Sequence, residues 1–418
     1  MDERLNRLQA ELQAWMAKPG MIRSCAPYAK HPMSLAEAKP LLISTTEALE
    51  SAIQQARQQP WVALDTEFMR EQTYFPQLCL VQIAAGSTLF LIDPLALEDL
   101  SALGELLADA STLKVLHAAD QDVEVLLHAT GQMPVPLFDT QLAAMLLGHG
   151  EQIGYAPAVQ RVLGTQLGKT HQRTDWSRRP LDAQELAYAA DDVRYLSPLY
   201  ESLQGSLQSL GREQWLAGDF ARLTDASRYS VQPQDAWRKL KGLNKLRPRE
   251  QQLAGRLAAW REARAIERNR PRRWILKDDV LLDIARRKPG TAEDLQRIRG
   301  LPERMAKQPE ELLGIVREAP SLPAEPLIQA ADRLDPALKP VVDLLTAQLQ
   351  AASLTSGIAA SALATRRDLE ALASGERNLP LLEGWRREAA GASLLALLEG
   401  GATLQVQDHQ VVLNPQAD

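Results

Sequence analysis

Short apolar runs alternate with amphipathic segments through the first half of the chain. The apolar runs have the length of strands and lie at residues 41–44, 61–68, 78–85, 88–94 and 113–118. The amphipathic segments have helical periodicity and lie at residues 45–58, 97–108, 120–128 and 182–203. Three strands in close succession, the last two joined by a turn at Gly86 and Ser87, precede an alternation of strands and helices. This order predicts an α/β fold, with a mixed sheet and helices on both of its faces.

The second half of the chain has helical patterns and almost no strand pattern. Residues 229–235 predict a linker, and proline-rich stretches at 320–326 and 335–340 divide the helical half into two parts. Residues 361–375 predict one helix that ends at a glycine. Residues 403–413 alternate weakly, which predicts a terminal hairpin.

Composition and length fit a protein of several globular domains. The chain has 418 residues, of which 45% are hydrophobic and 24% are charged, and ~150 residues per domain gives two or three domains. It contains no apolar run of the ~18 residues that cross a membrane. Residues 3–18 predict an amphipathic helix and not a signal peptide, so we expect a cytoplasmic protein. Cys25 and Cys79 are too few for a disulfide framework or a zinc site, and Cys79 lies in an apolar run, where we expect a buried thiol.

Basic residues are concentrated in one segment, residues 237–273. The chain has a net charge of −6, but this segment holds thirteen basic and three acidic residues, a net +10, which leaves −16 for the rest. A solvated helix face is the ordinary interpretation of such a run. Segregation on this scale in an acidic protein favours a polyanionic partner. The phosphate contacts that we expect are Arg264, Arg268, Arg272 and Arg273.

Two carboxylates interrupt the apolar run at residues 61–68. Asp65 and Glu67 are two residues apart, and because side chains on a strand alternate between faces, both lie on the same face. Neighbouring like charges in a sheet are costly without a counter-charge, which a divalent cation would supply. The alternative is an edge strand whose two carboxylates face solvent.

Further carboxylates lie on two of the predicted helices. Tyr188 and Asp192 are four residues apart, which places them on one helix face. The segment HAADQDVEVL runs from a strand into a helix, the kind of junction at which α/β sheets place ligand groups. Asp120, Asp122 and Glu124 compete for that role, and spacing alone does not decide between them.

A carboxylate pair on one strand, with one carboxylate on each of two helices, forms the ligand set of a two-metal phosphoryl-transfer site. Hard oxygen ligands suit Mg²⁺ or Mn²⁺. Two such ions activate a water molecule and stabilise the leaving oxygen of an in-line displacement.

Three motifs carry a resemblance to a known family. LDTEF, HAADQDVEVL and YAADDVRYL, in this order and spacing, resemble the exonuclease motifs of the DEDD superfamily, and the tyrosine four residues before the last aspartate matches its tyrosine-containing branch. YFPQLCLVQIA, LIDPL, FDTQLAA and RTDWSRRPL resemble the ribonuclease D family, over about residues 41–203. PQDAWRKLKG through WREARAIERNR and DIARRKPG resembles an HRDC domain, and SALATRRDLEAL resembles a second one more weakly.

The resemblance implies a ribonuclease-H-like mixed sheet flanked by helices, followed by two small all-α HRDC-like domains. We place these three domains at residues 41–228, 229–318 and 319–400, between an N-terminal extension at 1–40 and a C-terminal tail at 401–418. The implied activity is that of a metal-dependent 3′-to-5′ exoribonuclease that releases 5′-mononucleotides. Its implied partner is RNA with a single-stranded 3′ end, tRNA precursors among them. We expect no membrane, no nucleotide cofactor and a monomer.

The same resemblance assigns the site residues. The first motif supplies Asp65 and Glu67, the second supplies Asp122, and the third supplies Tyr188 and Asp192. Asp65 is expected to bridge two divalent cations, Mg²⁺ or Mn²⁺; Glu67 and Asp192 then complete the first ion, and Asp122 holds the second. The Tyr188 hydroxyl is expected to orient the attacking water. Separately, we expect the 3′-terminal base to stack near the strand pair, with Phe68 as the candidate side chain.

Two other functions compete with this interpretation, and one further motif resembles a phosphate-binding loop. A DNA exonuclease would use the same catalytic set, since nothing in the motifs contacts a 2′-hydroxyl. A non-catalytic RNA-binding adaptor would be free to lose a carboxylate, yet all four are present. GTQLGKT, at residues 164–170, resembles a phosphate-binding loop, but its glycines enclose three residues where the Walker pattern requires four.

Overall fold

The computed structural model describes residue 35 and residues 38–168, 174–328 and 334–416. The predicted helix at residues 3–18 and Cys25 lie outside the described residues.

Six strands form one mixed sheet, as predicted. They are β1 (Leu41–Ile43), β2 (Trp61–Met69), β3 (Gln77–Ala85), β4 (Thr88–Ile92), β5 (Leu113–Leu116) and β6 (Leu137–Asp139). Their spatial order is β1-β4-β3-β2-β5-β6. β3 is antiparallel to its neighbours β2 and β4, and the remaining pairs are parallel. The long central strand β3 therefore runs opposite to the other five strands of the sheet.

Helices cover both faces of the sheet. They are α1 (Thr46–Ala56), α2 (Ser101–Ala108), α3 (Asp120–Thr130), α4 (Thr140–Leu146), α5 (Tyr155–Leu163), α6 (Ala183–Arg194), α7 (Leu196–Ser209) and α8 (Ala217–Leu223). On one face, α1, α2 and α3 pack on the sheet through a core that includes Leu49, Leu103 and Leu126. On the other face, α5 and α7 pack on it through Val159 and Leu199. Cys79 is buried in the sheet, as expected.

The first domain differs from its predicted elements at three places, each for a local reason. Helix α2 begins at Ser101 and not at residue 97, because the Asp99 carboxylate accepts hydrogen bonds from the Ser101 N–H and hydroxyl and forms a turn there. The predicted helix at 182–203 is two helices, since Pro198 lacks the N–H that would continue the first one past Arg194. The third difference is β6, a strand of three residues that is too short for an alternating pattern.

The first helical part of the second half has a core of its own. Its helices are α9 (Pro248–Glu267), α10 (Arg272–Ile275), α11 (Asp278–Arg287), α12 (Ala292–Gln296), α13 (Glu303–Lys307) and α14 (Glu310–Arg317). Leu253, Leu257 and Ile284 lie at the centre of this core. The predicted linker at 229–235 is more ordered than expected, because Tyr229 is buried in the core of the sheet and donates its hydroxyl to the Leu223 carbonyl.

The second helical part packs against the first domain. Its helices are α15 (Lys339–Ser356), α16 (Ala360–Leu363), α17 (Arg366–Ala373), α18 (Gly384–Arg386) and α19 (Ala392–Leu398). Leu345 and Leu394 belong to the same continuous core as the helices α5 and α7. The helix predicted at 361–375 is interrupted because Thr365 caps α17 with its hydroxyl, which accepts from the Asp368 N–H.

The chain ends in a hairpin, as the weak alternation predicts. Strands β7 (Ala402–Gln407) and β8 (Gln410–Pro415) are antiparallel. The turn residues Asp408 and His409 both have positive φ, 48° and 62°, which is the backbone of a two-residue hairpin turn.

Candidate active site

Strand β2 holds the first carboxylate pair. Asp65 and Glu67 alternate with buried Thr66, so both project from the same face of the sheet. In the pairing with β3, Asp65 lies opposite Gln82 and Glu67 lies opposite Leu80. The register of the pair shifts between Glu67 and Phe68, so the pairing of β2 and β3 becomes irregular directly after the two carboxylates.

The junction between β5 and α3 positions the next carboxylate. Ala118 has a φ of 58°, and the N–H groups of Ala118 and Ala119 both donate to Asp139 on β6, at 3.1 and 2.9 Å. This turn directs Asp122 inward, where its carboxylate accepts a hydrogen bond of 2.5 Å from the Thr66 hydroxyl. Asp120 is exposed and forms an ion pair with Arg228 at 2.8 Å. The geometry therefore separates two aspartates that spacing alone left equivalent.

Helix α6 supplies the last two side chains. Asp182 caps its first turn and Glu185 reaches back to the Asp182 N–H, which fixes where the helix starts. One helical turn separates Tyr188 from Asp192, and their side chains are hydrogen-bonded. The Tyr188 ring also stacks on Trp176, with ring centroids 6.2 Å apart.

The neighbouring acid Asp191 lies on a different face of α6. It is exposed at its carboxylate and bonds to Arg194 at 2.8 Å. It is therefore a surface residue next to a buried one.

All five residues line one cavity of about 270 Å³, which we call the carboxylate cavity. Its walls also include Phe68, His117 and Tyr155. The His117 ring nitrogens lie 2.9 Å from the Thr140 hydroxyl and 2.9 Å from the Ile153 carbonyl. Both nitrogens are therefore in use, which fits a core histidine better than a metal ligand.

Burial raises the pKa of all four carboxyl groups in this cavity, and neighbouring negative charges add to the effect. Burial is the largest cause for Asp65, followed by the charges of Asp122, Asp192 and Glu67, and its pKa lies well above the ordinary value. The pKa of Glu67 rises to about 8, again chiefly through burial. Burial likewise raises the pKa of Asp122 and of Asp192 to about 7. A cluster of this kind is stabilised by positive charge.

The donor set fits divalent cations. Within the ranges that the structure describes, no three His, Cys, Asp or Glu side chains already stand in a closed metal-binding arrangement. Four carboxylates nevertheless surround one cavity, and the charges of the other members of the set help to raise the pKa of Asp65 and of Glu67. Oxygen ligands without sulfur or free imidazole match Mg²⁺ or Mn²⁺.

Comparisons with known proteins place this architecture. Residues 40–208 match the model of a family described as 3′-5′ exonuclease, and residues 250–316 match the HRDC domain. The ribonuclease D of Jannaschia sp. is 43% identical over 385 residues, which cover 89% of this chain and 98% of that protein. The ribonuclease D of Acidiphilium cryptum is 40% identical and covers 89% of this chain and 96% of that protein. This chain belongs to the ribonuclease D family.

A solved structure agrees with this assignment. The crystal structure of Escherichia coli RNase D, described as an exoribonuclease involved in structured RNA processing, has a TM-score of 0.75 and 35% identity. The match covers 87% of this chain and 99% of that one. As a member of the ribonuclease D family, the chain is a 3′-to-5′ exoribonuclease that acts on RNA, and its family depends on divalent metal ions. No helix among the described residues is long and apolar enough to cross a membrane.

The four arginines expected to contact phosphates fall into two pairs. Arg264 bonds to both Glu267 and Glu311, and Arg272 bonds to the buried Glu262 at 2.9 Å. Arg268 and Arg273 are exposed, and neither has an ion-pair partner within the described ranges. Half of this expected set is therefore already paired with carboxylates of the protein itself.

Phe68, the side chain expected to stack on a base, lies at the mouth of the carboxylate cavity. It lines that cavity together with a second, neighbouring cleft. The guanidinium of Arg70 stands over its ring, 5.6 Å from the centroid.

Sequence reasoning missed two residues. Gln82 is a polar residue in the apolar run of β3, a signal that the pattern contained, and Tyr155 lines the cavity from α5 and donates its hydroxyl to the Asp191 carbonyl at 3.1 Å. The loop-like GTQLGKT begins at Gly164, which ends α5 with a φ of 73°, while residues 169–173 lie outside the described ranges. Gly164 is thus a helix-ending glycine.

Proposed function

We propose that this enzyme removes nucleotides from the 3′ end of RNA and releases 5′-mononucleotides with the aid of two divalent cations. One observation carries the proposal: four carboxylates with raised pKa values and the Tyr188 hydroxyl face a single cavity. The ions would be Mg²⁺ or Mn²⁺.

The four carboxylates would hold the ions. Asp65 is the candidate for a shared ligand, since the charges of Asp122, Asp192 and Glu67 all act on it. When bound, the ions would supply a Lewis acid for the attacking water and charge neutralisation for the leaving oxygen. The carboxylates themselves would contribute negative charge that is fixed in place by the sheet and two helices.

Tyr188 would orient the nucleophile without removing its proton. Burial and the charge of Asp192 raise the pKa of its hydroxyl above the ordinary value, so the group stays protonated at neutral pH. A protonated phenol that donates to Asp192 still has lone pairs with which to accept a hydrogen bond from water. Tyr188 therefore acts as a positioning group for the water that attacks the phosphate.

The proposed substrate is RNA with a single-stranded 3′ end, because a strand can enter a cavity of this size where a duplex cannot. Phe68 at the cavity mouth would stack on the terminal base. Maturation of tRNA 3′ ends remains a prediction that rests on the family resemblance. A cytoplasmic location and a monomeric enzyme remain predictions from the sequence pattern.

A degradation assay on matched RNA and DNA oligonucleotides tests the proposal. We expect 5′-mononucleotides from RNA, only with Mg²⁺ or Mn²⁺ present, and much slower release from DNA. Asp122→Asn should abolish hydrolysis, whereas Asp120→Asn, which alters an exposed ion pair two residues away, should retain it. Equal rates on DNA would favour the DNA exonuclease, and hydrolysis in EDTA would exclude the metal mechanism.

A further inference from the structure

Three cavities are linked in series by the residues that they share. The carboxylate cavity shares Glu67 and Phe68 with a cleft of about 790 Å³, the middle cleft, which residues 67–73 and 174–177 border. Arg270 lines the middle cleft and also a third cavity of about 510 Å³, which we call the outer pocket. Arg270 thus connects the helical part of the chain with the cleft that leads to the carboxylates.

The outer pocket has an aromatic and cationic lining. Trp274 is 52% exposed there and does not belong to a hydrophobic core of the described residues, while the ring of Trp260 forms a second aromatic wall. Arg268, Arg270 and Arg304 surround these rings. An exposed indole beside guanidinium groups is the combination that binds a nucleobase and its neighbouring phosphate.

The cations of the outer pocket are available to a ligand. Arg268 and Arg304 are exposed and have no ion-pair partner within the described ranges. Glu311, the carboxylate in the lining, accepts from Arg264 and from the Trp260 indole N–H, the latter at 3.1 Å. Its charge is compensated first by Arg264, which lies outside the lining, and further by Arg268 within it. With three arginines and one carboxylate in the lining, the pocket keeps a net positive charge.

Hydrogen bonds hold the outer pocket at a fixed position relative to the middle cleft. The Asn269 side-chain oxygen accepts from the N–H groups of Tyr74 and Phe75, at 3.0 and 3.1 Å. The Arg270 guanidinium donates to the Gln72 carbonyl at 3.2 Å, and its carbon lies 5.8 Å from the centroid of the Trp274 ring. Asn269 and Arg270, neighbours in one loop of the first helical part, therefore bond to residues 72–75 of the first domain.

We propose that the outer pocket binds a nucleobase and phosphate of the same RNA strand, several nucleotides upstream of the 3′ end in the carboxylate cavity. The inference rests on the proposed function, since it takes the carboxylate cavity as the place of hydrolysis. Arg268 and Arg304 contact the phosphate, Trp274 stacks on the base, and Arg270 guides the strand from the outer pocket into the middle cleft. The enzyme then selects for strands long enough to span all three cavities.

Binding of oligoribonucleotides in EDTA tests this without dependence on hydrolysis. Trp274→Ala should raise the Kd of a strand of ~15 nucleotides about tenfold, the size of effect expected when one base–aromatic stack is lost, and leave the Kd of a strand of ~3 nucleotides unchanged. The double variant Arg268→Gln/Arg304→Gln should do the same. Its control, Arg249→Gln/Arg299→Gln, removes the same charge from two exposed arginines outside the pocket. It should have a smaller effect on the long strand and none on the short one.

A fluorescent base locates the contact. With 2-aminopurine placed at successive positions from the 3′ end, one internal position should be quenched by the wild type and not by Trp274→Ala. Equal loss of affinity in the two arginine pairs, or an equal effect on long and short strands, would overturn the proposal. If the wild-type enzyme failed to hydrolyse the short strand in Mg²⁺, that result would instead count against the proposed function. The two failures are therefore distinguishable.

Discussion

Gln82 lies directly opposite Asp65 in the antiparallel pair of β2 and β3, and both polar atoms of its buried amide have no hydrogen-bond partner in the described structure. Opposite side chains on such a pair have Cβ atoms only about 5 Å apart. Its other neighbours on the same face are apolar: Leu80 along the strand and Leu91 across on β4. A buried amide without a partner is destabilising, so the residue carries a cost in stability beside the carboxylate cavity.

We expect Gln82→Met to raise the free energy of unfolding by about 1 kcal/mol, because an unsatisfied amide is replaced by an apolar side chain of similar length. The same substitution should slow turnover, since Asp65 loses the amide that faces it. Chemical denaturation in EDTA and single-turnover rates in Mg²⁺ measure the two effects. Thr112→Val is the matched control: its buried hydroxyl also has no partner, and it should gain stability with no change in rate. A Gln82→Met enzyme with wild-type turnover would contradict the functional half of this prediction.

The sequence predicts the sheet and the carboxylates well because both are local patterns. Alternation along β2 is sufficient to place Asp65 and Glu67 on one face, and a four-residue spacing pairs Tyr188 with Asp192. Contacts between distant segments have no such signal. The attachment of Tyr74 to Glu262 joins residues far apart in sequence, and a pattern of polar and apolar positions contains no information about it.

The ion pairs of the basic segment show the same limit. Charge counting correctly finds that residues 237–273 are basic, but it cannot tell which guanidinium groups are already paired. Arg261 has a side chain that is only 2% exposed and pairs with Asp278, so it contributes nothing to a surface. Only the folded structure shows which carboxylates of the protein pair with these arginines.

Asp192 and Asp191 provide a test of the site with adjacent residues. Asp192→Asn should reduce turnover by at least about a hundredfold, because a buried charged ligand is lost. Asp191→Asn should leave turnover within about twofold, because the Asp191 carboxylate is about half exposed and pairs with Arg194 outside the cavity. Single-turnover hydrolysis of an RNA oligonucleotide measures both. If the two variants lost activity equally, the assignment of the metal site to the inner face of α6 would be wrong.

Tyr188→Phe retains the ring that stacks on Trp176 and removes only the hydroxyl. We expect turnover to fall about tenfold to a hundredfold while RNA affinity in EDTA stays unchanged, since the hydroxyl positions water and not RNA. Tyr155→Phe is the control from the same cavity, whose hydroxyl bonds a main-chain carbonyl. It should cost stability and have little effect on the rate. An unchanged rate in Tyr188→Phe would remove the positioning role.

The raised carboxyl pKa values predict opposite pH trends for stability and activity. Without divalent ions, the folded protein binds protons at Glu67, with a pKa of about 8, and at Asp122 and Asp192, with a pKa of about 7, at pH values where the unfolded chain has released them. The free energy of unfolding in EDTA should therefore fall as pH rises from the ordinary carboxyl range near 4 to about 7 to 8, where the fall levels off. Mg²⁺ affinity and turnover should rise over the same interval, because ligands must be deprotonated.

Denaturation in EDTA and Mg²⁺-dependent rates at a series of pH values check both trends, and Glu67→Gln should flatten them. A metal-free protein whose stability increases across this window would contradict the electrostatic account.

Arg272 and Arg273 are adjacent arginines with different predicted roles. Arg272 neutralises Glu262, whose side chain is 2% exposed, has one oxygen without a partner, and accepts from the Tyr74 hydroxyl through the other. Arg272→Gln leaves that charge buried and should lower the free energy of unfolding by about 1–2 kcal/mol, less than for a fully buried pair because the arginine is partly exposed.

Arg273 is exposed and unpaired within the described ranges, so Arg273→Gln should not alter stability. If Arg273 contacts a phosphate, its loss should reduce the slope of log Kd against log salt by about one on a tRNA-sized RNA. Replacing Arg264, Arg268, Arg272 and Arg273 together would mix these two effects, so the single variants are measured separately, each by denaturation and by binding at several salt concentrations. An unchanged salt slope in Arg273→Gln would show that this arginine belongs to a solvated helix face, and an unchanged unfolding curve in Arg272→Gln would show that Glu262 does not depend on its partner.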